Sequence, residues 1–315
     1  MPDSPFDLLI LGAGLRGLTA GLAARRAGAR VLVVESAPNP GGTVRTQRSE
    51  GFACEQGPIA LSADELAPIL SVLGTPPPLA SVQTRVGALW DGQRLEPAEV
   101  DGEPQSGRGG MEDLVTALRR ELGPDLRLGR GATAVEVGPE LWTVHLGGEV
   151  PATLQAKAIH LCTPLAESAR LLAGFDPALP DLVPRLGTTQ HAFVFLGTWQ
   201  DAAFAQSCPG YGIACADPAS PVTEILFCSN VFPGRAVAGK ALVRLELAGA
   251  AATEPDPDTL AAAAEAELRR ITGWTGRVLF RRVHRFAAPR LDAVHAECRV
   301  RLSELTRRVP GLSVG

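Results

Sequence analysis

The sequence predicts an α/β fold, and three observations near its start carry that prediction. Asp7-Leu8-Leu9-Ile10-Leu11 is a short apolar run ending at Gly12, the pattern of a strand buried on both faces. Gly12-Ala13-Gly14-Leu15-Arg16-Gly17 follows at once and opens a helical stretch, with Leu18 and Leu22 in phase and Gly28 at its end. A second run, Val31-Leu32-Val33-Val34, then ends in an acid, Glu35. Strand, glycine turn, helix, strand and acid arrive in order, with about the 20-residue spacing of a dinucleotide-binding unit.

Each position has a physical task. Gly12 permits the tight turn from strand to helix. Gly14 lets a pyrophosphate approach the backbone without meeting a β-carbon, and Gly17 lets helix and strand pack closely. The helix N-terminus offers unpaired N–H groups and a partial positive charge to the diphosphate. Glu35 accepts the hydroxyl hydrogens of an adenosine ribose, and its charge disfavours a 2′-phosphate.

Composition bounds the rest. A chain of 315 residues with 45% hydrophobic and 20% charged residues has the balance of a globular protein of one large or two interlocked domains. A net charge of −4 gives no general attraction to nucleic acid. The six cysteines are scattered without a CxxC pair, so they read as buried thiols of a reducing, cytoplasmic setting. No basic n-region precedes the first apolar stretch, and no apolar run is long enough for a transmembrane helix. Peripheral membrane contact stays open.

After Glu35 the chain passes into a Gly/Pro-rich loop, Ala37-Pro38-Asn39-Pro40-Gly41-Gly42-Thr43-Val44-Arg45-Thr46, then Gly51-Phe52 and Glu55-Gln56-Gly57-Pro58. A double glycine with a nearby Arg resembles the second dinucleotide motif of FAD-containing oxidases, which favours FAD over NAD. With these residues the chain resembles the protoporphyrinogen oxidase group of the flavin amine oxidase superfamily. Further likeness lies in Gly109-Gly110-Met111 before a helix carrying Leu114, Val115, Leu118 and Leu122, and in the strand-like runs Ala132–Val137, Leu141–Leu146 and Ala158–Cys162. Gly210-Tyr211-Gly212-Ile213, Ile225–Ser229 and Phe232-Pro233-Gly234-Arg235 are similar to the group's substrate-domain segments.

The resemblance implies a Rossmann-type FAD domain, discontinuous and with an inserted β-meander, over residues 1–75, 106–175 and 291–315. It implies a smaller mixed α+β substrate domain over 176–290, with 76–105 as a shortened insertion or linker. It implies cofactor contacts from Gly12, Gly14, Leu15, Arg16, Gly17, Glu35, Ser36, Gly41, Gly42, Thr43, Arg45, Thr46, Gly57, Pro58 and Val135. It also implies dehydrogenation of a porphyrinogen-type small molecule, with dioxygen as acceptor and no assigned catalytic residue. Two departures accompany it. The stretch from Pro58 to Gly109 is too short for the group's helical insertion, and the group's flavin-closing segment would follow Gly315. The expectation is weak FAD binding and slow turnover. The rival readings are an amine oxidase or carotenoid desaturase, and a non-catalytic FAD-binding remnant.

Other elements follow from pattern alone. Ser62-Ala63-Asp64-Glu65 is a capping box before Leu66, Ile69, Leu70 and Leu73. Ala241–Leu247 reads as a strand and Thr259–Ile271 as a helix. Leu291, Val294, Cys298, Leu302, Leu305 and Val309 predict one amphipathic helix. Gly311-Leu312-Ser313-Val314-Gly315 matches the hydrolase elbow only formally, without its helix, acid and His. No phosphate loop of the GxxxxGK[ST] type or HExxH site is present, and the five histidines form no ligand pattern. Arg281, Arg282, Arg285 and Arg290 read as a solvated face, with anchoring of substrate carboxylates as the alternative. Arg119-Arg120 and Arg307-Arg308 sit at helix C-termini, where they offset the dipole.

Overall fold

A computed structural model describes residues 4–315. The chain begins β1 (Phe6–Leu11), α1 (Leu15–Arg26), β2 (Val31–Val34), β3 (Thr46–Ser49), β4 (Phe52–Glu55) and α2 (Ala63–Val72). It continues β5 (Leu79–Ser81), β6 (Val86–Trp90), β7 (Leu95–Glu99), β8 (Gln105–Gly107), α3 (Glu112–Leu122) and β9 (Leu126–Arg127). Next come β10 (Ala132–Val137), β11 (Trp142–Leu146), β12 (Ala152–Leu161), α4 (Leu165–Leu171), α5 (Leu179–Leu182) and β13 (Thr188–Trp199). The last part holds α6 (Ala202–Ser207), β14 (Gly212–Cys215), β15 (Val222–Leu226), α7 (Cys228–Val231), β16 (Lys240–Ala248), α8 (Pro257–Thr272), β17 (Phe280–Pro289), α9 (Ala293–Arg308) and β18 (Leu312–Val314).

Two seven-stranded sheets organise the molecule. In the first, β12, β1, β2 and β9 are parallel neighbours, β18 runs parallel to the end of β12, and β10–β11 continue antiparallel from its start. Strand alternation divides its side chains between two cores. Ile10 and Val33 pack with α1, α2 and α3, whereas Leu9, Leu11 and Leu32 pack with α4, α5 and α9. Coverage on both faces explains why β1 and β2 read as unbroken apolar runs.

The second sheet has the order β17-β13-β16-β15-β14-β6-β7 and is antiparallel except where β14 meets β6. Its Val194, Leu196, Val243 and Leu245 face α8. Its Phe193, Phe195, Leu226 and Leu242 face the β3–β4 hairpin through Phe52 and Cys54. Phe52 stacks on Phe280 with ring centroids 4.8 Å apart. The hairpin therefore presses the Gly-rich segment after β2 against the second sheet.

Two expectations change. Residues 76–105, expected as a shortened insertion or linker, hold strands: β6 and β7 extend the second sheet and β5 pairs with β8. Their mixed Gly/Pro content hid strands whose stability comes from pairing rather than from apolar alternation. After the Gly/Pro-rich loop, the segment from Thr46 to Glu55 forms a β-hairpin. Leu291 lies outside the last helix and is 81% exposed, because Asp292 caps α9 by accepting from His295 N at 3.0 Å. Cys298, Leu302 and Leu305 do face the core.

Candidate functional site

Two cavities meet at Gly42. The first, about 710 Å³, lies at the C-terminal ends of β1 and β2. It is lined by Gly12, Gly14, Arg16, Glu35, Ser36 and Gly42, and by Gly131, Ala132 and Thr133 opposite. The crevice at the carboxyl ends of parallel strands is where open α/β sheets bind ligands.

Its floor is made by glycines with distinct duties. A β-carbon on Gly12 would stand 2.6 Å from the carbonyl oxygen of Cys162, and Gly12 has φ of 105°. One on Gly17 would run into the carbonyl of Gly12, so this residue sets the spacing of α1 on β1. Gly14 differs: a β-carbon there would meet no protein atom within 4 Å. The space it leaves belongs to the cavity. Gly14 is also the N-cap of α1 and supplies no side-chain cap, and the first turn carries no acid. By contrast, α2 closes its own N-terminus with the reciprocal Ser62–Glu65 capping box. The first N–H groups of α1 remain for an anion.

Glu35 is held at the rim. Its Oε2 accepts from Ala13 N at 2.7 Å and its Oε1 from Ala37 N at 2.9 Å and Ser36 Oγ at 3.1 Å. The double glycine is fastened to the fingerprint turn: Gly41 N donates to Ala13 O at 2.7 Å, and Gly41 pairs with Gly14 as a parallel bridge. Gly41 is thus a buried structural hinge, and Gly42 is the one of the two that lines both cavities. Cys162 also lines the first cavity, with its thiol pushed up to about 11 by burial, against a lowering from Arg16.

The second cavity, about 560 Å³, lies between the loop residues Gly42, Thr43, Arg45, Gln56, Gly57 and Pro58 and the second sheet. The sheet contributes Phe193, Arg244, Glu246, His284 and Phe286. Arg244 is 6% exposed, donates to Gly57 O at 2.8 Å and pairs with Glu224 at 3.3 Å. Its guanidinium sits 4.2 Å from the Phe193 ring centroid, and its Nε is buried without a partner among the described residues. Burial, and secondarily the charge of Arg45, hold His284 below the ordinary histidine range.

Three expected contact residues face elsewhere. Thr46 is buried beside the cavities, its Oγ1 donating to Glu55 Oε2 at 2.8 Å and accepting from Glu112 N at 3.1 Å. The side chain of Val135 packs into the core between the first sheet and α9, and Ala132 and Thr133 reach the cavity from that strand instead. Leu15 packs on the core under α1. The arginines read as a solvated face do not line either cavity. Arg281 pairs with Glu265, Arg285 binds the carbonyls of Glu254 and Pro255, and Arg290 pairs with Asp292. Arg282 reaches Ser49 Oγ at 3.4 Å, and its Nε is buried without a partner among the described residues. Sequence reasoning missed Phe193, Arg244 and Glu246. The alternation along Phe193–Val194–Phe195 and Arg244–Leu245–Glu246 was the available signal.

A buried ion pair ties the β3–β4 hairpin to the loop between α7 and β16. Glu55 and Arg235 lie 3.4 Å apart, and Arg235 Nη2 donates to Ser106 Oγ at 2.5 Å. Burial raises Glu55 above the usual carboxylate range, against the lowering by Arg235 and by bonds from Thr46 and Met111.

A two-sheet α/β molecule with an open dinucleotide crevice at β1–α1 and an aromatic, charged second chamber beside it defines a cofactor-dependent enzyme scaffold. Residues 10–73 match the NAD(P)-binding Rossmann-like domain, and residues 82–290, most of the chain, match the flavin containing amine oxidoreductase family, so the chain belongs to that family. It is 49% identical over 58 residues to a coproporphyrinogen III oxidase from Propionibacterium freudenreichii subsp. freudenreichii, a stretch covering 18% of this chain and 11% of that protein. It is 41% identical over 59 residues to a hydroxyneurosporene desaturase from Rhodobacter capsulatus, covering 19% of this chain and 12% of that protein. The chain therefore spans only about a tenth of the length of these curated relatives in the matched regions. Its fold is shared with a protein provisionally assigned as a protoporphyrinogen oxidase from Exiguobacterium sp. 255-15, with a TM-score of 0.80 and 17% identity over 100% of this chain and 94% of that one.

Among the described residues no cluster of His, Cys, Asp and Glu could hold a metal ion, and no helix is long and apolar enough to cross a membrane.

Proposed function

We propose that the chain is an FAD-dependent oxidoreductase that dehydrogenates a porphyrinogen-type small molecule, with dioxygen as the electron acceptor and a cytoplasmic location. The observation that carries this reading is the continuity of the two cavities through Gly42. The first suits the adenosine and diphosphate of FAD: Glu35 at the ribose, and Gly14, Arg16 and the N-terminus of α1 at the phosphates. The second suits a flat ring system and a substrate, between the Gly57-Pro58 loop and the aromatic sheet face. In this reading residues 1–75, 106–175 and 291–315 form the FAD unit, and β6–β7 joins 176–290 in the substrate unit.

The bound flavin would supply a two-electron acceptor, and the protein would supply binding, orientation and exclusion of water. Gly42 lets the cofactor pass from one cavity to the other without meeting a side chain. Arg244, buried against Phe193 and tied to Gly57 O, fixes the loop against the sheet and so sets the width of the second chamber.

Support for a porphyrinogen comes from the coproporphyrinogen III oxidase stretch and the group resemblance in Gly109-Gly110-Met111 and Phe232–Arg235. The test is anaerobic mixing of FAD-loaded protein with coproporphyrinogen III. Slow loss of the visible bands of oxidised flavin, in keeping with the short Pro58–Gly109 stretch, and their return on admitting air, is the expected outcome. Failure of FAD to bind more tightly than NAD would remove the cofactor assignment. Binding of FAD without bleaching would leave the remnant reading in its place.

A further inference from the structure

The second cavity is floored by one face of the second sheet, and strand register orders that face. β13 lies between β16 and β17, so Phe193 stands opposite Glu246 on one side and opposite His284 on the other. Neighbouring strands are about 5 Å apart, which puts the carboxylate and the imidazole about 10 Å apart across the phenyl ring. All three residues line the cavity.

Glu246 is prepared in a way its neighbours are not. Its Oε1 accepts from His191 Nδ1 at 2.7 Å, and the His191 ring is itself stacked on Phe286 at 5.2 Å between centroids. Its Oε2 has no protein partner among the described residues. The adjacent charges have other commitments: Arg244 to Gly57 O and Glu224. A carboxylate oriented through one oxygen, with the other unpaired, in the wall of an aromatic chamber is an acceptor waiting for a donor. Burying it under a ligand that offers no N–H or O–H would strand a charge, a penalty that selects for a donor.

We propose that Glu246 accepts the N–H hydrogen of the substrate at a pyrrole nitrogen, two bonds from the bridging carbon that is oxidised. The inference rests on the oxidoreductase reading. The balance is simple: a C–H bond of the methylene that bridges two pyrrole rings breaks with its electron pair passing as hydride to oxidised flavin, the pyrrole N–H proton passes to Glu246, and the electron pair of the N–H bond shifts through the ring to leave a C=N bond in the ring and a C=C bond to the bridging carbon. Glu246 touches the substrate, and His191 is a positioning residue that holds the carboxylate in place.

A binding experiment separates this assignment from turnover. FAD-loaded protein is reduced with dithionite, so that no oxidation can occur, and titrated calorimetrically with dipyrromethane and with its N,N′-dimethyl derivative, which has the same rings and no N–H. Wild type should favour the N–H compound by about 10–100-fold, the worth of a hydrogen bond to a charged group. Glu246→Leu should bind the two compounds equally. His191→Asn, which keeps a donor for Oε1, should retain most of the preference, and His191→Leu should lose most of it. Equal binding of the two compounds by wild type would overturn the proposal without reference to any variant. A preference that survives in Glu246→Leu would overturn it as well. If the preference and its loss both appear while coproporphyrinogen III fails to bleach oxidised flavin, the N–H site stands and the oxidase reading falls.

Discussion

The two cavities are built from different materials. The first is a backbone site: Gly12, Gly14, Gly17, Gly41 and the open end of α1 shape it, and Glu35 is the carboxylate held at its rim. The second is a side-chain site, in which Phe193, Arg244, Glu246, His284 and Phe286 converge from three strands. A backbone site needs residues in a short, ordered motif, because the turn and the helix end do the binding. A side-chain site needs only that distant strands pair in the right register. The first can therefore be recognised as a motif, and the second cannot.

The largest effect should come from testing two glycines of the first site against each other. Gly17→Ala forces a β-carbon into the carbonyl of Gly12, where backbone on both sides cannot yield. A loss of more than about 4 kcal/mol of stability is expected, the range of severe core defects, and urea unfolding would measure it. Gly14→Val should leave the unfolding midpoint nearly unchanged, since no protein atom occupies its space, and should weaken FAD about 100-fold by filling the phosphate approach. That is about 2.7 kcal/mol. If both variants lose stability equally, the division between a packing glycine and a ligand glycine is wrong.

Next in size is the tie between the β3–β4 hairpin and the loop before β16. Glu55→Ala leaves the Arg235 guanidinium buried without its acid, and its Nε and Nη1 already lack partners among the described residues. A cost of about 3 kcal/mol is expected, with the second cavity losing ligand affinity before the first. Equal loss at both would mean that the ion pair supports the whole fold rather than the seating of the hairpin beside the second cavity.

Arg244→Met should cost less, about 2 kcal/mol, and its signature is selective. The bond to Gly57 O disappears, the loop loosens from Phe193, and the second chamber widens. Adenosine diphosphate ribose, which can occupy only the first site, should bind as before, whereas FAD should bind more weakly. Unequal losses sharpen the comparison, and equal ones break it.

The smallest effect concerns pH. His284 is held below the ordinary histidine value by burial, then by Arg45. A depressed folded value means stability that is present above the unfolded value of about 6.5 and lost as pH falls below it. The difference in unfolding midpoint between wild type and His284→Phe should therefore move against wild type between about pH 7 and pH 5. A constant difference over that interval would show that the imidazole titrates alike in the folded and unfolded chains.

The opening β1–α1–β2 unit was legible because its physics is local: apolar runs of strand length, glycines where a turn and a close approach demand them, and an acid at the strand end. The same holds for the Ser62–Glu65 cap and for α3 and α8, whose apolar residues recur at helical spacing. The strands between Leu79 and Glu99 were not legible, because Gly, Pro and charged residues there acquire strand structure only from their partners in β14 and β8. Thr46 was read as a ligand contact because it follows the Gly-rich loop, but a buried Glu55 nine residues on claims its hydroxyl. Val135 lies on the expected strand, yet its side chain points to the core, a choice of face that strand alternation leaves open until the sheet is packed. The sequence by itself determined the dinucleotide crevice, because contiguous residues make a backbone site. Only the tertiary structure decided the second chamber, because Glu246, Phe193 and His284 are far apart in the chain and become neighbours solely through the register of β16, β13 and β17.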